Sequence, residues 1–423
     1  MHINHIHAGR PLGGLLVWAL PAVSLAAAFT VTEVPPLAPP DNTQPWTLQS
    51  SCVDINDNGW AACRSVAIGP PYRCGWRGSQ TCHDVVARAL RWDGSQATPV
   101  SPVAGPQEVP LGINGAGDVY GHVYQGQTYG PNAGRIWRAD GSVRVTEGIV
   151  LWLNDRGQYV DETAMVVGGS TMVYNDVAHE ADGSVMPVFG VGGGGFTGTG
   201  VHAISPSGRL VGGQIIQAAV FDGTGDIVPE VSGVGWFIDQ ARFDSLPRNE
   251  DGTLDVYGPE LWPDSYARPM GGLNQRTFVA DVNDRDEIIV MQGMASVGYG
   301  SLRATLCKPK GKTPYHAPNG KTYYGKYTCT GGWQGGTTGL RGLNNRGDLV
   351  GDHYPNGLPP AVPMWWTRQT KPWQLNTGVD LNAALAGSGY QVITAYDIND
   401  QGQVAATCKN ALGEQRGCIV TVR

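Results

Sequence analysis

Seven times along this chain a short apolar run closes on a turn residue, two or three further turn formers follow, and a second apolar run leads away. The copies read DINDNGWAAC from Asp54, GINGAGDVYG from Gly112, WLNDRGQYV from Trp152, AISPSGRLVG from Ala203, DVNDRDEIIV from Asp281, GLNNRGDLVG from Gly342 and DINDQGQVAATC from Asp397. Alternating apolar and polar residues on both sides of an N-x-x-G turn are how an antiparallel hairpin is written. The turn asparagines fall at 56, 114, 154, 283, 344 and 399, with Ser205 in the fourth copy. The gaps are 58, 40, 51, 78, 61 and 55 residues, and a four-stranded propeller blade with one generous loop needs roughly 40 to 50. Such a repeat buries its apolar face only against its neighbours, so the chain is expected to form one domain despite its length.

Each unit supplies four strands. The first ends at the Ile/Leu-Asn pair and the second follows the turn, as in Asp118 to Gly121. A variable loop leads to a third, RALRW from Arg88 or RIWR from Arg135. Turns at Asp93-Gly94-Ser95, Asp140-Gly141-Ser142, Asp182-Gly183-Ser184 and Asp222-Gly223-Thr224 lead to a fourth strand such as Val143 to Thr146. The expected fold is an all-β propeller of seven four-stranded blades, or eight if the long gap after Ser205 hides a degenerate copy at Asn249 to Gly252. The last copy stops after its third strand, GCIVTVR. Before the first copy, Gln44 to Gln49 (QPWTLQ) matches Lys371 to Asn376 (KPWQLN), the sixth unit's fourth strand. The N-terminal strand around Trp46 is therefore expected to complete the last blade and close the ring, which removes an exposed sheet edge. The 61 glycines and 29 prolines suit many short strands joined by turns.

Residues 1–28 read as a signal peptide: an apolar run from Pro11 to Ala28 follows Arg10 and ends in small residues, with cleavage expected after Ala26 or Ala28. Residues 29–45 read as a proline-rich linker and 46–423 as the propeller. Arg10 is the only Asp, Glu, Lys or Arg among residues 1–28, so cleavage moves the formal charge from −7 to −8. That acidity argues against nucleic acid or anionic lipid as a partner. No sorting tail follows the last repeat, and the mature chain is expected to be a monomer free of the membrane, in the periplasm or outside the cell. An oxidising compartment suits the eight cysteines, which fall into four close pairs: Cys52/Cys63, Cys74/Cys82, Cys307/Cys329 and Cys408/Cys418. With a turn at Asp57-Asn58, cross-strand pairing sets 55 opposite 60, 54 opposite 61 and 52 opposite 63.

The pattern I, N, x, x, G, x, V, V, G followed by an aromatic-bearing strand resembles the bacterial extracellular repeats called HAF repeats. The resemblance covers most of residues 52–423 and implies an exported repeat protein of undefined role. The fourth copy departs from it at Ser205-Pro206, and the fifth carries Asp286 in place of the turn glycine.

Short turns of both kinds belong on one face of the ring and the long connections on the other, where a binding site is expected near the central channel. His122 with Tyr124, and His353 with Tyr354, follow the second strands of two blades, and convergence there would suit proton transfer in a polysaccharide lyase or hydrolase. The competing readings are a module that binds a glycan or surface partner, and a structural protein without a ligand. No cofactor is expected. The Asp-rich turns at Asp54-Ile55-Asn56-Asp57 and Asp397-Ile398-Asn399-Asp400 present hard oxygens suited to calcium, yet Asx residues favour turns for backbone reasons alone. Gly190 to Gly195 matches G-x-G-x-x-G without the helix that a dinucleotide site needs. Trp92, Trp137, Trp366 and Phe221 share a third-strand position and are expected to pack between blades. Trp60, Trp76, Trp236, Trp262 and Trp333 fall outside that register.

Overall fold

A computed structural model of the protein describes residues 29–422, apart from several internal stretches of which the longest are 186–196, 217–230, 237–264 and 369–377. Across much of residues 163–338 it describes the backbone of the strands but not most of their side chains. The fold is nearly all β: among the described residues there is one four-residue helix, Leu381–Ala384, capped by the Asp380 carboxylate on Asn382 N and Ala383 N. No helix among these residues is long and apolar enough to cross a membrane.

Antiparallel sheets follow one another along the chain. The first comprises Thr47–Ile55, Ala61–Ile68, Val85–Trp92 and Ala97–Pro99, and the second Gln107–Ile113, Val119–Tyr124, Ala133–Trp137 and Val143–Thr146. Ile149–Leu153, Tyr159–Val167 and Thr171–His179 make a three-stranded third sheet. The sixth comprises Thr337–Leu343, Leu349–Tyr354, Val362–Trp366 and Val379–Asp380. The last is Gln391–Ile398, Gln403–Lys409 and Gln415–Val422, joined on its outer edge by Phe29–Val34. These five blades define a propeller-like ring. They are fewer than the seven or eight expected from the repeats. The two remaining sheets, starting at Thr197–Ile204 and Gln275–Val282, are described chiefly as paired backbone. They belong to the copies whose turns depart from the pattern, and Asn249 to Gly252 lies outside the described residues.

Apolar clusters join neighbouring blades. Trp137, 2% exposed, packs with Ala62, Ala89 and Val119 between the first and second sheets. Trp366, 0% exposed, packs with Ile289, Met291 and Leu306 between the fifth and sixth. Truncating a tryptophan buried this fully costs about 3–5 kcal/mol. Trp92 lies in the cluster that joins the first sheet to Val34, Ala405 and Ile419 of the last. The expected role of the third-strand aromatics thus holds for these three, while Phe221 lies outside the described residues. Trp60 is half-buried beneath Arg91, and Trp76, Trp262 and Trp333 lie outside the described residues, as does the Trp236 side chain.

The strand that completes the last sheet differs from expectation. Phe29–Val34 pairs with Gln415–Val422, Phe29 facing Val422 and Val34 facing Gly417. Thr47–Ile55, just after Trp46, is instead the first strand of the first sheet. The stretch taken for a linker therefore begins with a strand, and its FTVTEV alternation was the better period-2 signal. Val34 is fully buried, and Glu33 pairs with Arg416 at 3.1 Å, so the segment is tied on both faces.

Three of the expected disulfides are formed: Cys52–Cys63, Cys74–Cys82 and Cys408–Cys418. Cys307 and Cys329 stand opposite one another on paired strands, with their side chains outside the described set. The expected 52/63 pairing is right through two compensating departures. Near the turn Ile55 faces Ala61 and Asp54 faces Ala62, one residue later than expected, and a bulge at Val53 restores the match. Cys74 and Cys82 staple a small hairpin, Tyr72–Cys74 with Gln80–Cys82, that projects from the first blade.

Candidate functional site

In every copy a bulge falls three residues before the turn asparagine or serine. The extra residues are Val53, Leu111, Leu151, His202, Ala280, Arg341 and Tyr396. At the turn itself the local chemistry also repeats. Asn56 N donates to Trp60 O and Gly59 N to Asn56 O, while Asn56 Oδ1 accepts from Asn58 N and Trp60 N at 3.0 Å. Gly59 sits at φ 76°, a conformation open to glycine and costly for other residues. Copies two, three, six and seven make the same asparagine and glycine backbone bonds.

The asparagine carboxamides then reach across the ring. Asn56 Nδ2 donates to Asn114 O (2.8 Å), Asn114 to Asn154 O (3.2 Å) and Asn154 to Ser205 O (3.1 Å). Serine has no amide to continue the relay, and it resumes from Asn283 to Asn344 O and from Asn344 to Asn399 O, both at 3.0 Å. Asn399 Nδ2 donates to Asn56 O at 3.0 Å, which links the last copy to the first. One residue later a second circuit runs in the same sense. Gly115 N donates to Asp155 Oδ1, Asp284 N to Asn345 Oδ1, Asn345 N to Asp400 Oδ1 and Asp400 N to Asp57 Oδ1.

Two residues before the asparagine a third circuit employs aspartates. Asp54 Oδ1 accepts from Ile55 N and its Oδ2 from Ile113 N of the next blade, at 2.8 and 2.7 Å. Asp281 repeats this with Val282 N and Leu343 N, at 2.7 and 2.6 Å, and Asp397 Oδ2 accepts from Ile55 N at 3.3 Å. Two of the three receiving copies carry glycine in this column, Gly112 and Gly342, and both need to lack a side chain. A Cβ on Gly112 would collide with Tyr120 Oη and Asp54 Oδ2, and one on Gly342 would lie 2.6 Å from Asp397 Oδ1.

These circuits surround a cavity of about 300 Å³ on the ring axis. Asp54, Asp281 and Asp397 are half-buried, open to the cavity and otherwise enclosed by the blades. Burial, and then the charge of and hydrogen bond with Asp397, hold Asp54 well above the ordinary carboxylate range. Burial and then Asp397 do the same for Asp281. The Tyr120 hydroxyl is pushed up by burial and by the three aspartates. At the mouth Asp57 is also raised, by burial first, with the charges of Asp400 and Asp284 adding to it. Arg341, the cation on the wall, is bound to Asp352 at 2.9 Å and stacks over Tyr396. The cavity is therefore strongly acidic, and most of its carboxylate oxygens already accept backbone N–H groups.

The residues expected to carry chemistry lie elsewhere. His122 and Tyr124 have ring centroids 6.2 Å apart near the far end of one second strand, with Tyr124 49% exposed. His353 and Tyr354 end the second strand of another blade, and none of the four lines the axial cavity. His122 follows its turn asparagine by eight residues and His353 by nine, so strand alternation turns them to opposite faces. The His122 imidazole is pushed below its ordinary value by burial and by the neighbouring Arg64. The cavity departs from expectation too, because it lies among the short N-x-x-G turns. Its aspartate column was legible once the copies were superposed: Asp54, Gly112, Trp152, Ala203, Asp281, Gly342 and Asp397 share one register position. Among the described residues no three His, Cys, Asp or Glu side chains converge as metal ligands. Gly190 to Gly195 lies outside the described residues.

No protein-family model matches the chain, and no curated protein matches it either.

Proposed function

We propose that this chain is an exported, disulfide-stapled binding module of the HAF-repeat kind, a closed ring of seven blades with its ligand site in the axial cavity. The cavity of about 300 Å³, walled by paired polar groups and by Tyr120, Trp152 and Tyr396, is the observation that carries this reading. Seven repeated bulges and the Asn399-to-Asn56 bond support a seven-membered circle. Export rests on the Pro11 to Ala28 segment together with the disulfides. A glycan or an exposed group of a surface partner suits such a cavity in size. The lyase or hydrolase reading draws no support from His122, Tyr124, His353 and Tyr354, which face different surroundings, and a ligand-free structural role leaves the cavity without a purpose.

The test is a glycan array and a small-molecule panel on the mature chain, alongside the Trp152→Leu variant, with N-terminal sequencing of the exported protein. Saturable binding that weakens in Trp152→Leu is expected, with a new N-terminus at residue 27 or 29. Binding that survives the substitution unchanged places the ligand elsewhere, and turnover of a polysaccharide restores the enzyme reading.

A further inference from the structure

One register position of the ring carries three carboxylates and one indole, all facing the same cavity: Asp54, Asp281 and Asp397 with Trp152. Tyr120 adds a phenol. It is 6% exposed, lines the cavity, and its hydroxyl takes part in none of the hydrogen bonds made by the described residues. That hydroxyl and Asp54 Oδ2 crowd the same point above Gly112. A phenol enclosed this far inside a protein ordinarily finds a partner, and one that faces a cavity without one is placed for a ligand.

The charge balance sets the sign of that ligand. The carboxylates accept from backbone amides, which carry no net charge. Asp54 and Asp397 share a hydrogen bond and with it a proton, and the negative charge that remains on the group faces the cavity with no cation beside it. Among the described residues the one cation on the wall, Arg341, is taken up by Asp352. An acidic cleft with protein walls focuses its field inward, favours cations and repels carboxylates and sulfates. The geometry also sets the size. No three carboxylates converge among the described residues, so the ring encircles a space instead of clasping a point. A bare metal ion fits such a site poorly, whereas an ammonium group with a hydrocarbon skirt meets both the acidic ring and the aromatic faces. Tyr396 already shows this affinity, since the Arg341 guanidinium lies 5.5 Å from its ring centroid.

We infer that the axial cavity binds a small organic ammonium ion, with Trp152 as its aromatic face, Tyr120 as a hydroxyl contact and Asp54, Asp281 and Asp397 as its counter-charge. This rests on the axial cavity being the ligand site. The neutral and acidic sugars otherwise suited to a propeller cavity would lose here: the first leave the charge unanswered, and the second are repelled.

The test is titration calorimetry of the mature chain at low salt with choline, its neutral isostere 3,3-dimethylbutan-1-ol, glucose and calcium chloride in turn. Choline is expected to bind saturably and the neutral isostere at least tenfold more weakly. Trp152→Leu and Tyr120→Phe are each expected to weaken choline about tenfold. Tyr120→Phe removes a single oxygen that holds no protein bond, so it keeps the test valid if Trp152→Leu does not fold. Equal binding of the isostere, or tighter binding of glucose, lost in Trp152→Leu, overturns the ammonium assignment and leaves the axial site standing. Choline binding untouched by both substitutions overturns the site as well. Calcium binding with no response to choline overturns the ammonium assignment in favour of a metal.

Discussion

Two turns of the last sheet are the same in miniature and differ in their surroundings. Asn399 and Asn410 each donate their N–H to the carbonyl four residues on, accept two backbone N–H groups on Oδ1, and are followed three residues later by a glycine. Gly402 and Gly413 sit at φ 76° and 78°. Each Nδ2 also reaches the side chain four residues on, Gln403 in one turn and Glu414 in the other. Asn399 is buried and additionally donates to Asn56 O of the first blade, whereas Asn410 is at the rim and bonds within its own turn. One tetrapeptide pattern thus serves two purposes: closing a hairpin, and, on the axis, latching one blade to the next.

Asn399→Ala strands a buried carbonyl and two N–H groups and is expected to cost about 2–4 kcal/mol in urea denaturation, against about 1 kcal/mol or less for Asn410→Ala. Equal losses would reduce the axial asparagines to turn residues. Carboxylates extend the contrast to pH. Asp54 binds its proton more tightly in the folded chain than in the unfolded one. Its contribution to stability is therefore complete below the unfolded value near 3.8 and declines as pH rises through the raised folded value, at up to about 1.4 kcal/mol per pH unit. Asp93, on an outer turn, is held down to about 2 by Gln96 N and by Ser95, so its contribution is present above 3.8 and lost as pH falls toward 2. Denaturation midpoints across pH should lose the upper slope in Asp54→Asn and the acid slope in Asp93→Asn. The smallest effect is at the glycines. Gly402→Ala and Gly413→Ala each force alanine to positive φ and should cost about 1 kcal/mol by thermal melts, with Gly402→Ala the larger because its Cβ would also press on Arg346 Nη2 at 2.9 Å, where Gly413 has open space.

Much of the blade was legible because hairpin chemistry is local. The N-x-x-G turns, the fourth strand at Val143 to Thr146 and the 52/63, 74/82 and 408/418 pairings follow from spacing and periodicity. What escaped is non-local. Asp54 looks like a turn former until its Oδ2 is seen on Ile113 N, 59 residues away. The Trp46 segment resembled a fourth strand in sequence, but edge pairing is decided by which strand fits the Gln415–Val422 face, and Phe29–Val34 fits it. His122 and His353 seemed to recur because each follows a conserved-looking strand ending, while a one-residue offset in a period-2 element turned them apart. Bulges, which shift register by one, carry no residue signature of their own and were invisible for that reason.

The seam at Phe29–Val34 sets the order of synthesis against the order of neighbours. The six residues that complete the last sheet emerge from the ribosome long before Gln415–Val422, their partner, exists. Until the final stretch is translated, Phe29–Val34 has no partner, and until the two meet the Gln415–Val422 border stays open to any other strand. Loss of Phe29–Val34 would make that exposure permanent and leave the Gln415–Val422 border open to the same border of a second copy.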